Sequence, residues 1–309
     1  MKLWTLTAAL GGALAEIALV PSTNHFLQAP YDGSQIRNII SAGEVEYGEQ
    51  GVRLGRPVPN SKGAVWFSQP NTFPDWQLML TFSIKGPDHG SDGLALWYTR
   101  SPGQLGPVFG SADRWHGLGV LVDGYDNDGK GNNPAIMGVL NQGDVSFRMD
   151  VDGEGQYFGG CVRQVRNSQH PVKMRITFIN KVLKVEIDDS GHSNEEYMSC
   201  LERANTDLPL GYYFGVSAGA GQVPDEFSLH SFNLYELKRG EAEIASKAAA
   251  SKQQGQNAQS SQSAGAAPVG VNTAELERMV KNMQSNLNAV MGTFKPGDRA
   301  IFKRLSDLE

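Results

Sequence analysis

Between Trp76 and Ile84 the chain alternates: Trp76, Leu78, Leu80, Phe82 and Ile84 are separated by Gln77, Met79, Thr81 and Ser83. Side chains on an extended backbone point to opposite faces with a period of two, so this pattern predicts a half-buried strand. Leu94–Tyr98 and Leu118–Val122 are more continuously apolar, and predict central strands buried on both faces. Met174, Ile176 and Phe178 alternate again, Asn180-Lys181 supplies a turn, and Leu183, Val185 and Ile187 return, which predicts a hairpin. Tyr212–Val216 and Phe227–Leu234 supply late strands. No helical pattern of ten or more residues interrupts the region. With 36 glycines in 309 residues, many strands joined by tight turns around one core predict an all-β, two-sheet antiparallel sandwich of the jelly-roll kind.

The two ends read differently. Residues 1–15 carry secretory-leader features: Lys2, an apolar and small stretch from Leu3 to Leu14, and a small-x-small ending at Ala13-Leu14-Ala15. A buried first helix is the alternative. The sandwich is expected over residues 16–238. Residues 239–272 are rich in Ala, Ser, Gln and Gly and nearly lack large apolar groups, so they predict a flexible linker. In 273–309, Leu276, Val280, Met283, Leu287 and Val290 recur at alternating four- and three-residue steps after a helix start at Thr273-Ala274-Glu275. That short seam predicts a C-terminal helix able to self-associate into a homo-oligomer, with a single helix docked on the sandwich as the alternative. No apolar run is long enough for a membrane span in the chain as given, and the heptads stop unfinished after Phe302, which favours a longer stalk.

Charge removes one class of function. The net charge is −6 and no cluster of five or more basic residues occurs, which argues against nucleic acid. The two cysteines, Cys161 and Cys200, suggest one disulfide in an oxidising compartment, against two unrelated buried thiols. Neither has a Cys or His partner at zinc-ligand spacing. No N-x-[ST] acceptor occurs, so the chain itself does not offer a site for N-glycans.

The densest group of oxygen ligands lies from Asp123 to Asn133. Asp123, Asp126 and Asp128 contribute carboxylates, and Asn127, Asn132 and Asn133 add neutral oxygens. Calcium takes six to eight oxygen ligands in flexible geometry, a demand this stretch can meet. Asp123 closes the apolar run Leu118–Val122, which places its carboxylate at a sheet rim. An EF-hand is excluded: with Gly129 as the turn glycine, the first ligand position would be Gly124 and the last Ala135. A solvated Asx/Gly turn without an ion stays open as the alternative.

Several motifs in order resemble the leguminous-type (L-type) lectin family, the ER–Golgi cargo receptors of the early secretory pathway. They are Ser91-Asp92-Gly93-Leu94-Ala95-Leu96-Trp97-Tyr98, Gly106-Pro107-Val108-Phe109-Gly110-Ser111, the loop Asp123–Ile136, and the placing of Cys161 and Cys200. The resemblance runs from about Val65 to Leu237 and is weaker before. It implies a Ca2+-loaded legume-lectin-like sandwich that binds high-mannose glycans on glycoprotein cargo in the lumen of the ER, intermediate compartment or Golgi. It implies Asp123, Asn127 and Asp152, with the Tyr125 carbonyl, as ligands of one calcium. Asp126, Asp128, Asn132 and Asn133 are implied as a companion set, with Asp152 shared. It implies Asp92 and Asn127 as hydrogen-bonding partners of mannose, the Tyr125 ring as an apolar wall, and Gly221 and Gln222 in a late loop forming a further wall. It also implies the Cys161–Cys200 disulfide.

Two positions depart from the family. Met149 stands where calcium-dependent mannose binders carry a histidine, and it cannot donate that hydrogen bond. Gly221-Gln222-Val223 stands where the family has Gly-Gly-Leu. These changes keep open a protein-binding adaptor of the same fold. A third reading, a retaining glycoside hydrolase, would use acids of Glu44-Val45-Glu46-Tyr47-Gly48-Glu49. The middle acid is not Asp, and Gly48 weakens the strand, so no enzyme is expected.

Overall fold

The computed structural model describes residues 5–8, 15–31, 38–90 and 92–239, with the backbone alone at 5–8, 15, 16 and 92. Two compact units divide the chain, Met1–Ser246 and Lys247–Glu309, and the described residues belong to the first. The linker and helix expected beyond Arg239 lie outside them.

In chain order the first strands are β1 (Thr5–Ala8), β2 (Ala15–Gln28), β3 (Ile39–Gly43), β4 (Val45–Gly48), β5 (Gly51–Leu54) and β6 (Lys62–Phe67). The middle of the chain gives β7 (Trp76–Lys85), β8 (Asp92–Thr99), β9 (Leu105–Val108), β10 (His116–Asp123) and β11 (Ala135–Gln142). The last are β12 (Gly159–Val162), β13 (Val172–Ile179), β14 (Val182–Asp188), β15 (Met198–Arg203), β16 (Tyr213–Ala220) and β17 (Glu226–Arg239). Among the described residues there is no α-helix, and one 3-10 turn covers Met149–Val151.

All the strands except β9 form two antiparallel sheets. One orders β1-β2-β17-β7-β13-β14-β15, with β4 and β5 attached alongside β17; the other orders β12-β11-β10-β8-β16-β6-β3. β1 pairs with the first residues of β2, Thr5 opposite Ala18 and Ala8 opposite Ala15, so removal of the expected leader would take this pairing with it. The even positions of β7 and β13 and the odd positions of β14 are buried between the sheets with Leu94, Leu96, Tyr98, Leu118, Val120 and Val122 from the other side. The alternation at residues 76–84 is thus an inner-face signal, as the period of two requires.

β8 and β10 are apolar on both faces because both faces are covered. Their other residues, Ala95, Trp97 and Leu121, join a second buried cluster with Phe109, Trp115, Met137 and Phe147. The Trp97 and Trp115 rings meet edge to face at 5.0 Å. Trp97 Nε1 donates to Ser217 Oγ at 2.8 Å, and that hydroxyl donates to the Phe109 carbonyl at 2.6 Å. The connections after β8 and β11 therefore fold back over the seven-stranded sheet instead of leaving it in water. Cys161 on β12 and Cys200 on β15 form a disulfide with Cα atoms 5.0 Å apart, joining one edge of each sheet. A loop of this length stabilises by about 3–4 kcal/mol in the chain-entropy account.

The hairpin β13–β14 turns at Asn180 and Lys181, both with left-handed φ, 52° and 61°. Two such residues define the I′ turn that matches strand twist. Asparagine tolerates this region, and lysine adopts it only at an energetic cost. The Lys181–Asp207 ion pair is exposed on both sides and contributes little. Replacing Lys181→Gly is expected to raise unfolding free energy by about 0.5–1 kcal/mol in urea titrations; a lower value would show that the turn is set by something other than these dihedrals.

Candidate functional site

Register gathers four chain segments at one rim of the seven-stranded sheet. Asp92, first in β8, lies opposite Ala220, last in β16. Gly93 lies opposite Asp123, last in β10, and Gly219 opposite Lys62, first in β6. The loops that leave or enter there are 55–61, 86–90, 124–134 and 221–225. Gly93 is a close-approach position, where a Cβ would strike the Val122 carbonyl. Only the backbone of Asp92 belongs to the described structure, so its side chain is placed by strand position alone.

The acidic loop folds onto Asp152. Asp152 is 4% exposed, with a left-handed φ of 50° at the end of the 3-10 turn. Its carboxylate accepts from the Asn127 backbone N–H at 3.1 Å and the Asp128 N–H at 3.2 Å. Carboxylate oxygens of Asp126, Asp128 and Asp152 all lie within 4.8 Å of one another. Asp126 accepts from the N–H of Lys130 at 3.1 Å and of Gly131 at 2.8 Å. Asp123, 1% exposed, accepts from the Tyr125 N–H at 3.1 Å. The Asn133 amide donates to the Tyr125 carbonyl at 2.8 Å and to the Asp123 carbonyl at 3.4 Å. Asp126, Asn127 and Asp128 are thus gathered on Asp152, distant in sequence, while Asp123 and Asn133 meet at the Tyr125 backbone and Asp123 is not in the carboxylate cluster.

Electrostatics in this fold is strained by like charge. Burial raises the Asp152 carboxyl above the ordinary range; the Asn127 and Asp128 N–H groups oppose this, and the charges of Asp128 and Asp126 reinforce it. Asp128 is instead lowered, first by the hydrogen bond from Lys130. The Lys130 ammonium lies 2.9 Å from both Asp128 and Glu154, and these partners raise it. Lys130 and Glu154 were not singled out from the sequence; the one basic residue inside an acidic loop was the available signal.

Three features fit a hard cation. The side-chain oxygens of Asn132 and Asn133 are buried with no hydrogen-bond partner, a costly state that a metal relieves. The Asn127 amide oxygen faces two acceptors, Asp152 Oδ1 at 2.8 Å and the Met149 carbonyl at 3.2 Å. Turning the amide makes both contacts donations, and a cation between the oxygens satisfies them unturned. The carboxylates and amides are the oxygen donors calcium takes.

Within this loop, Tyr125 is 43% exposed. Gly221 and Gln222 follow β16. The Gly221 carbonyl accepts from the Asn60 N–H at 3.2 Å, and Gln222 Nε2 donates to Asn60 Oδ1 at 3.4 Å. Asn60 was also missed, because nothing local in its sequence marks it. Met149 is partly buried against the Trp97–Phe147 cluster, so its side chain serves packing. In the segment named for hydrolysis, Arg56 and Ser61 hold Glu44 down to about 2, and Glu46 is bound by Arg53. Glu44 is therefore not a carboxylic acid poised to donate a proton near neutral pH.

Two antiparallel sheets with an acidic loop at one rim give the legume-lectin-like sandwich expected from the sequence. The sequence matches the legume-like lectin family over residues 21–244, and the chain belongs to that family. The match starts well before Val65, where the stronger resemblance read from the sequence begins. The chain is 38% identical to the protein ERGIC-53 of Rattus norvegicus over 188 residues, 60% of this chain, and spans only 36% of that protein's length. It is 36% identical to the VIP36-like protein of Mus musculus over 225 residues, 69% and 63% of the two chains. The structure of the VIP36 exoplasmic/lumenal domain with Ca2+ and Man3GlcNAc bound is similar at a TM-score of 0.66 and 32% identity, covering 71% of this chain and 91% of that one. A metal-free form of VIP36 is equally similar, at 0.66. The Emp47p carbohydrate recognition domain, at 20% identity and a TM-score of 0.60, shares the fold.

Asp152 separates two effects. Its folded pKa is raised, so without metal its contribution favours the fold in acid and turns against it as pH rises from the ordinary carboxylate range through the raised value. Asp152→Asn is therefore expected to leave the EDTA-treated protein at an equal or higher melting temperature while abolishing the rise on adding Ca2+. A drop in EDTA with the Ca2+ response intact would reverse the assignment.

Proposed function

We propose that the chain is a calcium-dependent lectin of the early secretory pathway, binding high-mannose N-glycans on glycoprotein cargo and catalysing no reaction. The observation that carries this reading is the gathering of Asp126, Asn127 and Asp128 onto Asp152, in the loop that follows the rim strand ending at Asp123 beside Gly93. The VIP36 structures with Ca2+, mannose and Man3GlcNAc bound support the ligand class, and their description as a lumenal domain supports the compartment. The leader features at residues 1–15 and the disulfide point the same way.

In this reading Asp123, Asn127 and Asp152, with the Tyr125 carbonyl, hold one calcium. Asp126, Asp128, Asn132 and Asn133 form a companion set with Asp152. The ion supplies positive charge that fixes the loop. The Asn127 amide and Asp92 carboxylate offer a donor and acceptors matched to vicinal hydroxyls. Tyr125 gives the sugar's C–H face an apolar wall, and Gly221–Gln222 close the far side. The segment 273–309 assembles copies of the chain, raising avidity for multivalent cargo.

Met149 favours a second reading. A thioether packed into an apolar cluster offers no donor at a position where the family uses histidine, so an adaptor that binds protein through the same fold is the rival. A glycan array with and without EDTA separates them: mannose-rich binding that vanishes with chelator supports the lectin, and calcium-independent binding to deglycosylated cargo supports the adaptor. Asp123→Ala is expected to lose both calcium and mannoside, and Asp92→Ala to lose mannoside with calcium affinity nearly unchanged, by titration calorimetry. Equal loss of calcium in both variants would contradict the roles given to them.

A further inference from the structure

The loops on the two sides of the β8–β16 rim meet at a buried ion pair. The Arg166 and Asp225 side chains are 6% and 0% exposed. Arg166 Nε donates to Asp225 Oδ2 at 2.8 Å and Nη2 to Oδ1 at 2.7 Å. The same guanidinium donates to the Pro87 carbonyl at 2.8 Å and the Asp88 carbonyl at 3.2 Å. Asn167 grips this loop one step earlier. Its Oδ1 accepts from the Gly86 N–H at 2.9 Å and its Nδ2 donates to the Gly86 carbonyl at 3.0 Å. Its own N–H donates to the Ile84 carbonyl at 2.9 Å.

Packing leaves no slack in this arrangement. A Cβ on Gly86 would strike the Asp225 carboxylate, and one on Gly90 would strike both that carboxylate and the guanidinium. Loop 86–90 leads directly to Ser91 and Asp92. Asp225 ends the loop that carries Gly221 and Gln222, just before β17. One planar cation therefore holds the approach to Asp92 and the exit from Gln222 at a fixed separation.

Stability alone is a weak account of such a pair. Desolvating two charges costs as much as their attraction returns, and apolar replacements are often neutral. What the guanidinium provides is direction: a rigid fork with donors aimed at several acceptors, which an ammonium cannot reproduce. None of these residues belongs to the calcium loop, so the two walls of the rim are organised independently of the ion.

We propose that Arg166, with Asp225 and Asn167, is the positioning clamp of the saccharide site, setting the separation of the Asp92 and Gln222 loops without contributing to metal binding. The proposal rests on the glycan reading above. It is tested on the full chain with Arg166→Lys, Asn167→Ala and, as a control in the other sheet, Glu186→Gln, which weakens the half-buried Arg175–Glu186 pair. The readouts are calorimetric affinities for an α-mannoside and for Ca2+, melting temperature, and amide hydrogen exchange of segments 86–92, 221–225 and 123–133.

Arg166→Lys is expected to weaken the mannoside by about tenfold or more, as loss of charge-assisted bonds implies, with Ca2+ affinity within about twofold. Exchange should quicken in 86–92 and 221–225 and stay unchanged in 123–133. Asn167→Ala should quicken 86–92 alone, with a smaller loss of mannoside. Glu186→Gln should lower the melting temperature and leave the mannoside unaffected. Lower melting temperatures in the Arg166 and Asn167 variants, with unchanged loop exchange and unchanged mannoside affinity, would overturn the proposal, as would a parallel loss of mannoside and calcium. If Arg166→Lys does not fold, Asn167→Ala decides by the same readouts. Should the wild-type chain bind no mannoside, the glycan reading falls, while unchanged exchange in the two loops would separately sink the clamp.

Discussion

Three carboxylates within 4.8 Å of one another set the terms for everything at the rim. Like charges so close repel, and the burial of Asp152 keeps water from screening them fully. The fold meets this partly with its own dipoles. The N–H groups of Asn127 and Asp128 point at Asp152, and those of Lys130 and Gly131 point at Asp126. The Lys130 ammonium adds one full charge between Asp128 and Glu154. The buried side-chain oxygens of Asn132 and Asn133 still lack donors. A loop with surplus acceptors and deficient donors is built for a cation, and its shape is the shape of that imbalance.

Such a loop needs a rigid seat, which the apolar layer on the outer face of the seven-stranded sheet supplies. Trp97, Trp115 and Phe147 meet through successive ring contacts at 5.0 and 6.1 Å. Phe147 lies under Gly153, where any Cβ would strike its ring, and Gly153 follows Asp152. The carboxylate that closes the ion loop is thus held from below by aromatic packing. Core truncations in clusters like this cost about 3–5 kcal/mol, and here the same contacts also fix Asp152. Stability and site geometry share atoms, so the outer cluster has two reasons to be filled with large rings.

How much of this was legible in the sequence follows from how local each signal is. The period of two at residues 76–84 and the hairpin at Asn180-Lys181 are properties of adjacent residues, and both appear as read. The double-sided burial of Leu94–Tyr98 was legible as an apolar run, but what covers its outer face was not. That cover comes from Phe109, Trp115 and Phe147, which belong to connections without periodicity. The acidic loop was legible because its carboxylates and amides are contiguous; Asp152 entered through family resemblance. Arg166 and Asp225 were invisible, since their pairing spans two loops and the register of distant strands. Asn60 likewise acquires meaning only when β6 is laid beside β16.

Met149 brings these threads together. A methionine there is a good core residue: flexible and apolar, it packs against the aromatic layer while its carbonyl faces the Asn127 amide. Its side chain anchors the turn that ends at Asp152 and offers no hydrogen-bond donor. Under the proposed function, polar recognition then shifts to the opposite wall. There Gln222 and Asn60 form an amide bridge between loops 221–225 and 55–61. An amide pair has both donors and acceptors left over when joined by one hydrogen bond, so it can address hydroxyls in a way a glycine cannot. A wall that recognises ligand must not drift, and the buried guanidinium of Arg166 is bonded to Asp225, where that loop ends. The metal side and the amide side thus answer to different supports, the first to aromatic packing and the second to a buried charge.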